Sequence, residues 1–158
     1  DIELLRYTPE EWFACSEQAH CSVFNKKRPP WVERISYALV AQLGTEVIGY
    51  ATCRETDIES LYWQFGGVFD RAKPLRAVRA FRALLSDTRS RYKRVTTYVR
   101  NDNVGYIEML HSHDFRVIGM RVVSGEIYLE LYLEFKQEEE NGDTDLGHDG
   151  KAGAAKGA

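Results

Sequence analysis

Residues 103–115 read NVGYIEMLHSHDF, and they are the most informative part of the chain. Asn103 is a residue type that often caps helices, and Ile107 and Leu110 follow it at helical spacing. The segment therefore predicts a helix over 103–113, with both apolar side chains facing the core.

Strand and helix patterns alternate on both sides of this segment. Thr8 and Glu11 have the spacing of a capping box at the start of a first helix, Pro30 suits the start of a short second one, and apolar residues recur at helical spacing over 74–88. Strands are predicted at 2–7, 37–43, 47–54, 61–69, 94–99, 115–122 and 126–135, with hairpin turns at Gly44-Thr45 and Ser124-Gly125. The residues expected to face the core are Val78, Phe81, Leu85, Ile107, Leu110 and Phe115, with Trp12, Phe13, Cys15, Ala19 and Val23 on the first helix. This order predicts the α/β class, a mixed sheet with helices on both faces.

The strand predicted at 61–69 contains two adjacent glycines, Gly66 and Gly67. Glycines inside a strand indicate a bulge or a close approach of the backbone to another group. Because side chains alternate across a strand, its residues divide between two faces. The more apolar face, expected to pack inward, holds Leu61, Trp63 and Phe65, and the other holds Tyr62, Gln64 and Gly66.

Charge is unevenly distributed along the 158 residues. The net charge is −3, and residues 136–158, with six acids and three bases, account for all of it. Residues 71–100 carry ten bases and one acid. The sequence therefore predicts a neutral domain over 1–135 with one electropositive patch, followed by a flexible Gly, Ala and acid-rich tail over 136–158.

Several protein classes are disfavoured by the composition. No apolar run approaches the length of a membrane span, and residues 1–7 lack the basic-then-apolar pattern of a signal peptide. Cys15, Cys21 and Cys53 are odd in number and have no CxxC spacing, so neither a disulfide framework nor a zinc site is expected. We expect a protein that is neither secreted nor membrane-spanning.

The 103–115 segment resembles the helix pattern of the GNAT superfamily of N-acetyltransferases, written loosely N-x-x-A-x-x-x-[YL]-x-x-x-G-F. Asn103 and Phe115 fall in register, whereas Tyr106, Leu110 and Asp114 replace the small residue, the frequent tyrosine and the glycine. The order of elements resembles the same superfamily over residues 1–135. The resemblance implies a mostly antiparallel, twisted GNAT-like sheet and an acetyl-CoA cofactor.

A narrower resemblance concerns small GNAT-like proteins of short-tailed bacteriophages, which are associated with the virion interior or its assembly. The shared features are an aromatic strand at 62–65, a basic helix without a glycine loop at 73–85, and the Asn103, Ile107 and Leu110 spacing. This resemblance implies a protein of a virion or of the host cytoplasm.

Binding of acetyl-CoA by this superfamily implies a Q/R-x-x-G-x-G/A motif, in which glycines let the pyrophosphate approach backbone N–H groups at a helix start. In the best register here, Arg76 is retained, but Arg79 and Phe81 occupy the glycine positions. A second possible cradle over 70–74 supplies Arg71 and Lys73, also without glycine. We expect a degenerate cofactor site, with Arg71, Lys73, Arg76 and Arg79 as the candidate contacts.

Proton transfer, the second requirement of the chemistry, has few candidates. The resemblance implies a tyrosine proton donor at the position of Leu110, which cannot transfer protons. Tyr106, one turn earlier, is a substitute only after rearrangement. Glu59 and Asp57 are candidate bases, and Gln64 is a candidate for positioning a water molecule. A carboxylate near a strand end, however, is more often a solvated or capping group.

Two functions follow from these patterns. The first is a non-catalytic structural or assembly protein of a tailed bacteriophage particle, whose partners are other virion proteins or copies of itself in a symmetric assembly. The second is an active acetyl-CoA-dependent N-acetyltransferase with a divergent phosphate-binding loop. Nucleic-acid binding by the basic patch is possible but not favoured, because the domain as a whole is neutral. The candidate partner-binding residues are Lys73, Arg76, Arg79, Arg82, Glu138, Glu139 and Glu140.

Overall fold

The computed structural model describes residues 1–24, 34–67 and 74–137. In chain order the elements are β1 (Ile2–Tyr7), α1 (Pro9–Phe24), β2 (Tyr37–Leu43), β3 (Glu46–Asp57), β4 (Ser60–Gly67), α2 (Pro74–Arg91), β5 (Arg94–Arg100), α3 (Val104–Ser112), β6 (Arg116–Val123) and β7 (Glu126–Glu134). Residues 30–33 of the predicted second helix and the tail from residue 138 onward lie outside the described residues. None of the three described helices is long and apolar enough to cross a membrane.

Seven strands form one mixed sheet in the order β1-β2-β3-β4-β5-β7-β6. β4 and β5 are parallel, and the other neighbouring pairs are antiparallel. α1 packs on β1, β2 and β3 from one side, and α2 packs on the same three strands from the other. The predicted mixed, mostly antiparallel sheet with helices on both faces is confirmed.

α1 begins with the predicted capping box. The Thr8 N–H donates to the Glu11 carboxylate at 2.8 Å, and the Glu11 N–H donates to the Thr8 hydroxyl at 3.2 Å. Trp12 is buried on the sheet side of the helix, as expected. Phe13 was expected there too, but that prediction is wrong, because its side chain is 66% exposed. The buried stripe instead consists of Trp12, Ser16, Ala19, His20 and Val23.

α2 presents small residues to the sheet, which brings the helix close to it. Phe81 is buried as predicted, and Leu85 is half-buried against the core. Val78, also predicted to face the core, is only half-buried, because the helix is rotated toward its alanines. The buried stripe is Ala77, Ala80, Phe81, Leu84 and Thr88.

α3 lies on the same side of the sheet as α2. Leu110 and Phe115 are completely buried, as predicted, and Ile107 is half-buried against the core. Asn103 is the N-cap residue, as predicted, and its carbonyl accepts the Ile107 N–H at 3.1 Å, but its side chain makes no capping hydrogen bond. Asp114 takes the left-handed conformation, with φ 69°, and the Phe115 N–H donates to the Leu110 carbonyl at 3.2 Å. Asp114 therefore ends the helix in the manner of a C-terminal glycine.

Candidate functional site

β4 and β5 separate partway along their length. They pair from Ser60 with Arg94 to Trp63 with Thr97, and the Thr97 hydroxyl donates to the Trp63 carbonyl at 3.2 Å at the last pair. Beyond it, the described parts of the two strands run on to Gly67 and Arg100 without pairing to each other. We call this gap, bounded by residues 64–67 and 98–100, the fork. An extended ligand can pair with strand edges that flank such a gap.

A bulge and a close backbone contact produce the fork. The register of β4 against β3 shifts at Gln64, since Thr52 pairs with Phe65 and Cys53 with Trp63. At Gly66, φ is 155°, and a Cβ atom would lie 2.2 Å from the Tyr50 carbonyl oxygen. The bulge predicted at the two glycines is therefore present but lies at Gln64, and the predicted close approach is to β3.

The base of the fork is sealed by the apolar core. Leu61 and Trp63 are buried, which confirms the predicted inward face of β4 for these two residues. The Trp63 ring lies 5.9 Å from the Phe81 ring and 6.1 Å from the Phe115 ring. Its indole N–H donates to the Thr88 hydroxyl at 3.3 Å. On this side, the fork therefore ends against tightly packed aromatic rings.

The opposite face of the two strands carries tyrosines and arginines. Tyr62 and Tyr98 meet edge to face, with their ring centroids 5.7 Å apart. The Arg54 guanidinium lies 5.2 Å from the Tyr62 ring, and the Arg121 guanidinium lies 4.2 Å from the Tyr98 ring. Burial raises the pKa of Tyr62. These contacts hold β4 and β5 together on the face away from α2.

Two residues of α3 bear on proton transfer. Leu110 stands where the resemblance implies a tyrosine proton donor, and its side chain is completely buried. Tyr106 is half-buried against the core, one turn earlier. Burial raises the pKa of Tyr106, so that the phenol keeps its proton at neutral pH. α3 thus offers a protonated tyrosine, displaced by one turn from the implied position.

Glu59 lies at the paired end of β4, not at the fork. It precedes the first paired residue and forms an ion pair with Lys93, while Arg94 lies 3.7 Å away. Trp63, where the fork begins, is four residues away, or about 13 Å along an extended strand. Asp57 is at the same end and accepts the Glu59 N–H at 2.8 Å, which lowers the pKa of Asp57. The structure therefore does not bring the candidate base Glu59 to Tyr106.

A phosphate would bind at the N-terminus of α2, where Arg76 is the cation retained from the motif. The Glu46 carboxylate already forms an ion pair with this guanidinium. Glu46 opens β3, and its Oε2 accepts a hydrogen bond from Nη2 of Arg76 at 2.7 Å. The Arg76 side chain is only 15% exposed, whereas the Glu46 side chain is 55% exposed, so the guanidinium is shielded from water and the carboxylate is not. No local pattern indicates Glu46, which lies 30 positions from Arg76 in the chain.

The expected register of the phosphate motif is wrong at Phe81. α2 begins at Pro74, so Phe81 lies well inside the helix and faces the core. Arg79 is exposed beyond the first turn, where backbone N–H groups are already used within the helix. Arg71 and Lys73 lie outside the described residues. The described residues of the α2 first turn contain no glycine and therefore do not fit a tightly held pyrophosphate.

The predicted basic partner surface is also divided. Arg79 and Arg82 are exposed on α2, whereas Arg76 is engaged by Glu46. Lys73 and the acids Glu138, Glu139 and Glu140 lie outside the described residues.

Within the described residues, no group of three or more His, Cys, Asp or Glu side chains is placed to hold a metal ion.

Comparison with solved structures shows where this architecture occurs. The ribosomal-protein-S18-alanine N-acetyltransferase from Escherichia coli matches with a TM-score of 0.66 at 11% identity, over 89% of this chain and 98% of that protein. An IAA acetyltransferase from Bacillus cereus matches with a TM-score of 0.64 at 15% identity, over 85% and 100%. A GNAT family acetyltransferase from Elizabethkingia anophelis, with acetyl-CoA bound, matches with a TM-score of 0.54 at 15% identity, over 85% and 98%.

The likeness concerns the fold. No family model matches the chain, and no curated protein matches it. The three acetyltransferases are nevertheless covered almost end to end. The chain therefore has the fold of the GNAT acetyltransferases, as the 103–115 segment led us to expect.

Proposed function

We propose that this protein is a GNAT-fold protein with a degenerate acetyl-CoA site, and that it acts through protein contacts rather than catalysis. The ion pair between Arg76 and Glu46 carries the proposal. An anion arriving at the start of α2 meets a guanidinium that is already neutralised and a carboxylate that repels it. Leu110, buried where a proton donor is implied, supports the same conclusion.

For the biological setting, we propose the particle of a tailed bacteriophage, with other virion proteins or further copies of this chain as partners. The support is the resemblance of residues 62–65, 73–85 and 103–110 to small GNAT-like virion proteins. Electron microscopy of the particle, or mass spectrometry of purified particles, tests this setting directly. Recovery of the chain only in the host cytoplasm would contradict it.

An active acetyl-CoA-dependent N-acetyltransferase is the second candidate. The observation in its favour is the fork, because the pairing of β4 with β5 ends at Trp63 and Thr97 in a fold shared with an acetyl-CoA-bound acetyltransferase. Tyr106, protonated at neutral pH, would then be a donor one helical turn from the implied position. The two candidates differ in a measurable property, which is affinity for acetyl-CoA.

Calorimetric titration with acetyl-CoA separates them. We expect no binding by the full chain up to millimolar ligand, and micromolar binding or turnover of an amine acceptor would overturn the proposal. Glu46→Gln removes the negative charge beside the Arg76 guanidinium, so this variant should bind acetyl-CoA measurably better than the original chain. Glu3→Gln, an exposed carboxylate on β1, is the matched control and should stay silent.

A further inference from the structure

β6 is an edge strand that leaves apolar side chains uncovered. Val117, Met120 and Val122 pair across with Leu131, Leu129 and Ile127 of β7, so they lie on the core side of the sheet, beside the core residue Leu131. Met120 is 67% exposed and Val122 is 64% exposed. Ile118 at the β6 bulge and Val123 on the opposite face are exposed as well.

The two edges of the sheet differ sharply. β1, at one edge, is flanked by α1 and α2, carries the charged residues Glu3 and Arg6 and exposes little apolar surface. β6, at the other edge, contains no proline, lysine or acid, and no described element pairs with its outer side. Lysine, proline and covering helices are among the usual protections of an edge strand, and among the residues that the structure describes β6 has none of these three.

The charges of β6 do not block its outer edge. Arg116 and Arg121 lie on the face opposite the apolar residues, paired across with Tyr132 and Tyr128. The Arg121 guanidinium is folded back over the Tyr98 ring at 4.2 Å, away from the edge. The backbone groups of β6 are thus open to another strand.

We propose that β6 is the contact surface between two copies of this chain, joined by antiparallel pairing of β6 with β6 about a two-fold axis. This inference goes beyond the proposed function, since it holds whether or not acetyl-CoA binds. A second copy fits better than a different partner because the contact is self-complementary. Each copy supplies the same free edge, of equal length and equal apolar character.

Symmetry restricts the register of this pairing. A two-fold axis perpendicular to the sheet places residues of the same face opposite each other. Because β6 has a bulge at Ile118, residues 119–123 form the regular segment that can pair in this way. An axis at Arg121 would set two guanidinium groups directly opposite each other, which is unfavourable. An axis at Met120 or Val122, both on the apolar face, avoids this contact and is the register that we propose.

The size of the contact fits a modest dimer. An eight-residue strand is about 27 Å long, and its edge with the flanking side chains covers roughly 500–800 Å² per copy, between a weak and a standard interface. The pairing brings the apolar side chains of the two copies together and shields them from water. It also satisfies backbone groups that a non-strand partner would leave solvated.

Sedimentation velocity of the full chain tests the proposal. We expect a dimer at about 100 µM, where an interface of this size associates, and a purely monomeric chain would overturn the inference. Met120→Lys and Val122→Lys should each weaken the dimer roughly 30-fold or more. Ile58→Lys, at an exposed turn residue outside β6, is the control and should leave the dimer unchanged. A dimer that tolerates both β6 substitutions would also overturn it, provided that circular dichroism shows the variants folded.

Cross-linking tests the register independently. Residues directly opposite each other across an antiparallel pair have Cα atoms about 4.5–5.5 Å apart, which a disulfide can span. With Cys21→Ser removing the exposed native thiol, either Met120→Cys or Val122→Cys should form a covalent dimer on mild oxidation. Glu3→Cys, on β1, should not. Cross-linking at Glu3 with none at Met120 or Val122 would contradict the β6 contact.

Discussion

β1, β2 and β3 lie between two helices, whereas β5, β7 and β6 have helix-packed core on one face only. In β2, the five residues from Tyr37 to Ala41 are all buried. In β5, buried and half-buried residues alternate. The difference shows that the burial of a strand follows from the layers around it, because β2, with a helix on each face and a strand on each edge, has no solvent face to carry polar residues.

The largest expected effect contrasts these two parts of the sheet. Ala38 and Ala41 are both completely buried on β2, Ala38 toward α1 and Ala41 toward α2. Ala38→Asp and Ala41→Asp should each cost more than about 4 kcal/mol, because either places an unpaired carboxylate in the core. Urea denaturation followed by circular dichroism measures both. A well-tolerated substitution at either position would show that one of the two faces is not covered.

Gly66 lies at the boundary between the two parts. Gly66→Ala would push a Cβ atom to 2.2 Å from the Tyr50 carbonyl oxygen, at φ 155°, and should cost about 2–4 kcal/mol because backbone must move. Gly44→Ala, at a turn with open space around it, is the matched control. It should cost only about 1 kcal/mol. Equal losses in chemical denaturation would mean that β3 and β4 do not approach closely here.

Neighbouring residues of β5 sharpen the contrast on the one-sided part. Val95 is completely buried and Thr96 is half-exposed on the other face. Val95→Ala should cost about 1–3 kcal/mol through the cavity it leaves, and Thr96→Ala less than about 1 kcal/mol. If the two substitutions destabilise equally in thermal and chemical unfolding, something covers both faces of β5.

The smallest expected effect concerns a buried thiol of the sandwiched part. Burial raises the pKa of Cys53 to about 12, from an ordinary value near 9. The folded chain therefore holds this proton more tightly than the unfolded chain, and stability that is complete below pH 9 is lost as the pH rises toward 12. Between pH 8 and pH 10, the free energy of unfolding should fall by roughly 1 kcal/mol less for Cys53→Ala than for the original chain. Parallel stability curves over that range would show that Cys53 is not buried.

Much of the fold could be predicted because its signals are local. The capping box at Thr8, the hairpin turns and the strands β5 and β7 each depend on neighbouring residues, and each is found in the structure. The errors have a common origin in packing. Phe13 and Val78 are apolar side chains beside a buried stripe, and only the docking of α1 and α2 decides which side chains fall inside it.

The candidate site could be predicted less well because it depends on distant residues. Arg76 was found from a motif, but its partner Glu46 comes from another element and has no sequence signature. Glu59 was chosen for its strand, yet the end of the strand on which it lies is fixed only by the pairing of β4 with β5. Proximity in three dimensions, rather than residue type, was the missing quantity.

The short pairing of β4 with β5 also has a consequence for motion. In the part of the chain that the structure describes, four paired positions join the backbones of β4 and β5, and side-chain contacts, among them those of Trp63 with Phe81 and Phe115, add to the connection. Hydrogen bonds at such a seam open at lower free energy than those inside either part. Amide hydrogen exchange should therefore begin at the fork and advance toward Ser60, with β5, β7 and β6 exchanging together as one cooperative unit.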